Sequence, residues 1–122
     1  TNRDLKVAHC NDTNCTSATK TKLDSTDDVG RYTSITIGAD GLGLISYWDG
    51  INANLKVAHC SNTNCTTATI TALDSTYDVG TFTSITIGAD GLGLISYYDW
   101  GNENLKVAHC ENAFCSPYFR RR

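Results

Sequence analysis

The chain has 122 residues and a formal charge of −3, from 10 basic and 13 acidic side chains. That length suits one compact domain; the charge balance gives no reason to expect a nucleic-acid partner, and no apolar run approaches the roughly 18 residues that cross a bilayer. Methionine is absent and Glu occurs twice, while Thr, Ser, Gly, Asn, Ile and Val dominate, a composition that predicts an all-β protein rich in turns.

In chain order, the first predicted strand is Leu5–Cys10, followed by an Asn/Thr loop and a second run that ends near Asp24. A longer connection leads to the β-branched run Ser34–Gly38, and the Ala39–Gly41 turn leads to Leu42–Asp49. An Asn- and Gly-bearing turn precedes Asn54–Cys60, and a short Asn/Thr loop precedes Thr67–Ser75. The connection through Tyr77 and Phe82 opens a second copy of the same series. Turn residues between short β-branched runs are the signature of antiparallel hairpins.

The series repeats with a period of 50. Residues 1–50 match residues 51–100 at 37 of 50 positions, LKVAHC occurs at Leu5, Leu55 and Leu105, and TSITIGADGLGLISY occurs at Thr33 and Thr83. A period of this length points to propeller blades or another stacked β-array. The expected fold is therefore all-β, with four-stranded antiparallel propeller-type blades in tandem, about 2.4 repeats of 50 residues. One repeat domain over 1–122 divides into an outer-hairpin half-blade at 1–32, a full blade at 33–82 and a terminal blade with a divergent tail at 83–122. Along Leu55–Cys60 and Leu94–Tyr97 both faces carry apolar residues, as expected of sheets sandwiched between neighbours. The first residue is Thr1, which reads as a processed or excerpted chain.

The segments TSITIGADGLGLISYYD and NENLKVAHC resemble the tandem repeats of secreted bacterial β-propeller proteins, of the sialidase-like superfold. The resemblance implies the blade type and an extracellular setting, and little about activity. Thr26, Asp28 and Gly30 sit at the spacing of the Asp-box of sialidase-like propellers, but the closing aromatic is displaced to Tyr32, so sialidase chemistry is not implied.

Six cysteines occur as three Cys-x4-Cys pairs, Cys10/Cys15, Cys60/Cys65 and Cys110/Cys115. Each pair brackets a hairpin turn and reads as a local disulfide worth about 2 kcal/mol by loop closure, and the even count implies an oxidising, extracellular or cell-surface location. The rival reading joins His9, His59 and His109 with these cysteines in a metal site, but adjacent strand residues point to opposite faces; no metal and no cofactor is expected. The repeated histidines fit side chains bonded to a neighbouring blade, or a pH-sensitive row. Asp24, Asp28, Asp40 and Asp49 and their counterparts at 74, 78, 90 and 99 are spread over three turns, which suits turn capping rather than a calcium loop.

Trp48, Asp49, Tyr98, Asp99 and Trp100 place aromatic rings and carboxylates at loop tips, which suits carbohydrate stacking or packing between blades. No asymmetric set of nucleophile, base and stabiliser is visible, because nearly every polar group is duplicated; the chain is expected not to be an enzyme. An array this short leaves strand edges and a sheet face without cover, which predicts association with copies of itself. The expected function is a secreted structural protein that self-assembles into an extracellular filament or surface scaffold. The alternative is an oligomeric lectin-like propeller that binds glycans at blade interfaces. Pro117 and the arginines at 120–122 are expected to cap a blade or dock on an acidic turn of the next copy.

Overall fold

A computed structural model of the chain describes residues 3–26, 28–76 and 78–115. These form nine strands: β1 (Leu5–Cys10), β2 (Ala18–Asp24), β3 (Val29–Ile37), β4 (Gly43–Asp49), β5 (Asn54–Cys60), β6 (Ala68–Asp74), β7 (Val79–Ile87), β8 (Gly93–Asp99) and β9 (Asn104–His109). They make three antiparallel sheets, β1-β2, β3-β4-β5-β6 and β7-β8-β9, below called the first, middle and last sheets. The expectation of an all-β, antiparallel protein stands. Four-stranded blades do not recur throughout: the middle sheet has four strands, the others have two and three, and no closed ring is formed among the described residues. The tail from residue 116 onwards, with Pro117 and the terminal arginines, lies outside the described residues.

The first strand of each four-run series starts five residues earlier than its β-branched run suggested. β3 begins at Val29 rather than Ser34, and β7 at Val79 rather than Ser84. Register shifts lie between Val29 and Arg31 and between Arg31 and Ser34, and the same shifts recur in β7. Gly30 and Tyr32 have φ of 87° and 55° there, and Gly80 and Phe82 102° and 55°. Such bulges break the period of two by which a strand is recognised, so this segment reads as a connection.

The middle sheet is buried on both faces. Ile45, Tyr47, Ala58 and Cys60 pack with Leu5 and Val29 on the side of the first sheet. Leu44, Leu55 and Val57 pack with Val79, Ile85, Ile95 and Tyr97 on the side of the last sheet. Alternation along β4 and β5 thus feeds two separate cores, which is why neither strand shows a polar face.

Candidate functional site

The joint between the middle and last sheets shows what one sheet requires of the next. Strand β7 lies across β3 and β4 and reaches β5. The Val79 N–H donates to the Ala53 carbonyl at 3.1 Å, and a Cβ on Gly80 would stand 2.7 Å from Leu55 Cα. Only a residue without a side chain permits that approach at positive φ. Further along, Ser46 Oγ donates to Thr83 Oγ1 at 2.9 Å and the Ile85 N–H donates to Ser34 Oγ at 3.1 Å. The joint between the first and middle sheets begins identically: Val29 N–H donates to the Arg3 carbonyl at 3.1 Å, and a Cβ on Gly30 would lie 2.8 Å from Leu5 Cα.

Each joint is also closed by a tyrosine–aspartate–lysine cluster. Tyr47 Oη donates to Asp24 at 2.8 Å and Lys56 Nζ donates to it at 3.1 Å; one repeat later, Tyr97 and Lys106 reach Asp74 at 2.6 and 2.9 Å. Burial pushes both tyrosine hydroxyls far above the usual phenol range, and the neighbouring carboxylates act in the same direction. At Asp74 burial opposes ionisation, but hydrogen bonds from Tyr97, Lys106 and Thr76 outweigh it and hold the carboxyl well below its usual range. Asp24 is lowered likewise, against its burial, by Thr26, Tyr47 and Lys56. Turn capping explains only the bonds these aspartates accept from Thr26 and Thr76. The cluster spans 32 residues and two sheets, so it escaped the sequence reading, although all three of its residues recur at the 50-residue offset.

Beyond these joints, two surfaces lack cover. Leu55 and Val57 are both 0% exposed, whereas their counterparts Leu105 and Val107 on the last sheet are 81% and 62% exposed. At the other end, Ile35 is 53% exposed where its counterpart Ile85 is 6%, and Ile37 is exposed beside it. Ile85 is covered by β3 and β4; the first sheet consists of β1 and β2 alone among the described residues, so Ile35 lacks the counterparts of those two strands and stays half exposed. The two bare surfaces are the two halves of the joint seen inside the chain.

Aromatic rings line one rim. Tyr32 lies 5.9 Å from Trp48 and 4.6 Å from Phe82, Phe82 lies 6.5 Å from Tyr98, and Tyr98 lies 4.9 Å from Trp100. Arg31 sits 6.0 Å over the Trp48 ring. Tyr32 and Phe82 belong to the bulges and were not placed among the loop-tip aromatics in the sequence, whereas Trp48, Tyr98 and Trp100 were. Asp49 and Asp99, expected beside them, are withdrawn from the rim and nearly fully buried. Asp49 accepts the Ile51 and Asn52 N–H groups and the Asn52 side chain, and Asp99 accepts the Asn102 N–H and side chain. These bonds cap the two turns, the role expected of the repeated aspartates.

His59 Nε2 lies 2.7 Å from Asp40 and His109 Nε2 2.6 Å from Asp90, so these two histidines bond to the preceding hairpin turn of their own sheets, while the His59 ring also meets Phe114, beyond the last strand of the next sheet, at 4.7 Å between centroids. Disulfides join Cys10 to Cys15, Cys60 to Cys65 and Cys110 to Cys115, with Cα–Cα separations of 4.8, 4.8 and 4.6 Å. Such bonds fit an oxidising environment. Comparison of the chain with protein-family models, curated proteins and solved structures finds no match in any of the three.

Proposed function

We propose that this chain is a secreted, non-enzymatic structural β-repeat protein of propeller-type blades, which self-associates through its uncovered surfaces into an extracellular filament or surface scaffold. One observation carries the proposal: the bare surface around Leu94, Leu105 and Val107 repeats the surface that Leu44, Leu55 and Val57 bury inside the chain, and the bare strip of Ile35 and Ile37 repeats the segment that covers it there. A second copy therefore already has the complementary shape. Head-to-tail joints of this kind close into rings or continue as filaments according to the rotation per joint.

Sedimentation velocity over a concentration series, with electron microscopy of the concentrated sample, tests this. Growth with concentration is expected, and Ile35→Lys, at a site exposed in the single chain, is expected to abolish it. A chain that stays monomeric at high concentration overturns the proposal.

A second reading, a lectin-like oligomer that stacks sugars, is supported by the aromatic rim. Bulky side chains at positive φ are uncommon and cost of order 1 kcal/mol or more each, yet Tyr32 and Phe82 both adopt it and place their rings in the row. A glycan array separates the two: binding lost in Trp100→Ala favours the lectin, and an empty array removes it.

A further inference from the structure

We infer that association proceeds by strand exchange, in which β1 of a second copy takes the place of β9 beside β8. This rests on the self-association proposed above and specifies its partner strand by strand.

The inference follows from the repetition of the joint. Strand β1 stands to β3 as β5 stands to β7: Gly30 abuts Leu5 as Gly80 abuts Leu55, and the Val29 and Val79 N–H groups reach the carbonyls of Arg3 and Ala53 at the same 3.1 Å. Suppose a second copy lays its β3 on β7 and β8 of the first, as β7 lies on β3 and β4 within one chain. Its β1 then arrives beside β8, where β9 already sits. Both strands carry Leu-Lys-Val-Ala-His, and only one of them fits.

The incoming strand makes the same ladder and a better face. In β9 the pairing with β8 runs Leu94 to His109, Ile95 to Ala108, Ser96 to Val107 and Tyr97 to Lys106; His9, Ala8, Val7 and Lys6 match it residue for residue. Backbone N–H groups alternate between the two edges of an antiparallel strand. The Cys110 N–H donates to Gly93 on the β8 side, and the Asn11 N–H donates to Ser17 on the β2 side. By that parity the N–H groups of Lys6, Ala8 and Cys10 point to the edge of β1 that has no strand beside it among the described residues. Exchange therefore trades one set of ladder bonds for an identical set.

The two strands differ in what comes with them. β9 brings an uncovered Leu105 and Val107. β1 brings β2 as a fourth strand, and its Leu5 is already buried against the second copy's own middle sheet. Lys6 would replace Lys106 on Asp74, and His9 would replace His109 at Asp90. Tyr32 would stack on Phe82 of the first copy and Thr33 would meet Ser96, repeating the Phe82–Tyr32 and Thr83–Ser46 contacts inside the chain. The composite of β7 and β8 with the second copy's β1 and β2 is a four-stranded sheet in the order of the middle sheet, so each copy contributes two full sheets to the assembly.

Residue-resolved hydrogen exchange on the 122-residue chain, from dilute to concentrated, tests this. As assemblies form, the N–H groups of Lys6, Ala8 and Cys10 are expected to become protected while those of Lys106 and Ala108 lose protection. Assembly in which β9 stays protected and this edge of β1 stays fast overturns the exchange and leaves self-association standing; no assembly overturns both. Proline variants give the converse test. Ala8→Pro deletes an N–H without a strand partner in the single chain and is tolerated on such an edge, but it is expected to weaken association about tenfold or more, whereas Ala108→Pro weakens the hold of β9 and is expected to strengthen it. Opposite signs for the two variants support exchange, and weakening by both overturns it.

Discussion

Leu5, Leu55 and Leu105 are the same residue in the same hexapeptide, yet only the first two are enclosed between sheets. Leu55→Ala removes a side chain that is 0% exposed at the centre of the joint with the last sheet. Large-to-small changes at such sites cost about 2–5 kcal/mol, through lost burial and the cavity left behind. Leu105→Ala makes the identical chemical change at a residue 81% exposed, where effects stay within about 0.5 kcal/mol. Urea unfolding of dilute protein, where the single chain prevails, measures the contrast. With a slope of about 1–3 kcal/mol/M, Leu55→Ala should lower the midpoint by about 1 M or more and Leu105→Ala by a few tenths at most. Equal midpoints for the two variants would refute the claim that one joint is filled and the other bare.

Three further predictions test the joints. Gly41 and Gly80 both have positive φ, but a Cβ on Gly41 meets nothing within 4 Å whereas one on Gly80 meets Leu55 backbone; Gly41→Ala should cost about 1 kcal/mol from φ alone and Gly80→Ala about 2 kcal/mol more from the clash, both read from unfolding midpoints. Asp24 and Asp74 have depressed folded-state pKa values, so their contribution is present above the ordinary carboxyl value near 3.8 and is lost as pH falls below it; Tyr47 and Tyr97 are raised, so theirs is present below pH 10 and is lost as pH climbs past it. Thermal melts from pH 2 to 11 should show both losses, and Asp74→Asn should flatten the acid limb. Replacing Cys10 and Cys15 by Ala, at exposed positions, should cost the loop-closure share of about 2 kcal/mol, whereas the same change at the buried Cys60 and Cys65 should cost about 1 kcal/mol more, because core contacts are lost as well; unfolding midpoints of the two double variants decide.

Much of the fold was legible because it repeats. Runs such as Leu42–Asp49 and Asn54–Cys60 recur almost unchanged, so element type, antiparallel order and two-faced burial followed from repetition and alternation. The bulges were not legible, since Gly30 and Tyr32 interrupt the period on which strand recognition rests, and the aromatic rim was half seen for the same reason. The tyrosine–aspartate–lysine clusters join residues 23 and 32 positions apart that no local pattern connects. Asp49 and Asp99 carried two readings, turn cap and ligand group, because a carboxylate next to aromatic residues looks alike in sequence whether it faces solvent or caps its own turn. Leu55 and Leu105 mark the limit of such reading: identical neighbours along the chain, opposite surroundings in space.

If the chain associates as proposed, the positions where the repeats differ bear on which contacts it favours. Ile70 pairs with Ala58 and packs, half-buried, toward the first sheet. At the matching place on β2 stands Lys20, opposite Ala8 and exposed, with Lys22 in place of Ala72. Lysines on an exposed sheet discourage indiscriminate pairing, while a lysine stem still covers apolar surface when a neighbour arrives. If β1 and β2 enter the next copy's last sheet, Lys20 arrives where an isoleucine belongs, and Lys20→Ile restores the residue of the internal joint. Half-burial of that side chain is worth about 1 kcal/mol, so the dissociation constant should fall about fivefold, with the same discrete assemblies seen by sedimentation. Unchanged affinity would place β2 outside the joint. Heterogeneous aggregates in place of tighter assemblies would mean that the lysine acts only as a guard and that β2 never reaches the neighbour's sheet.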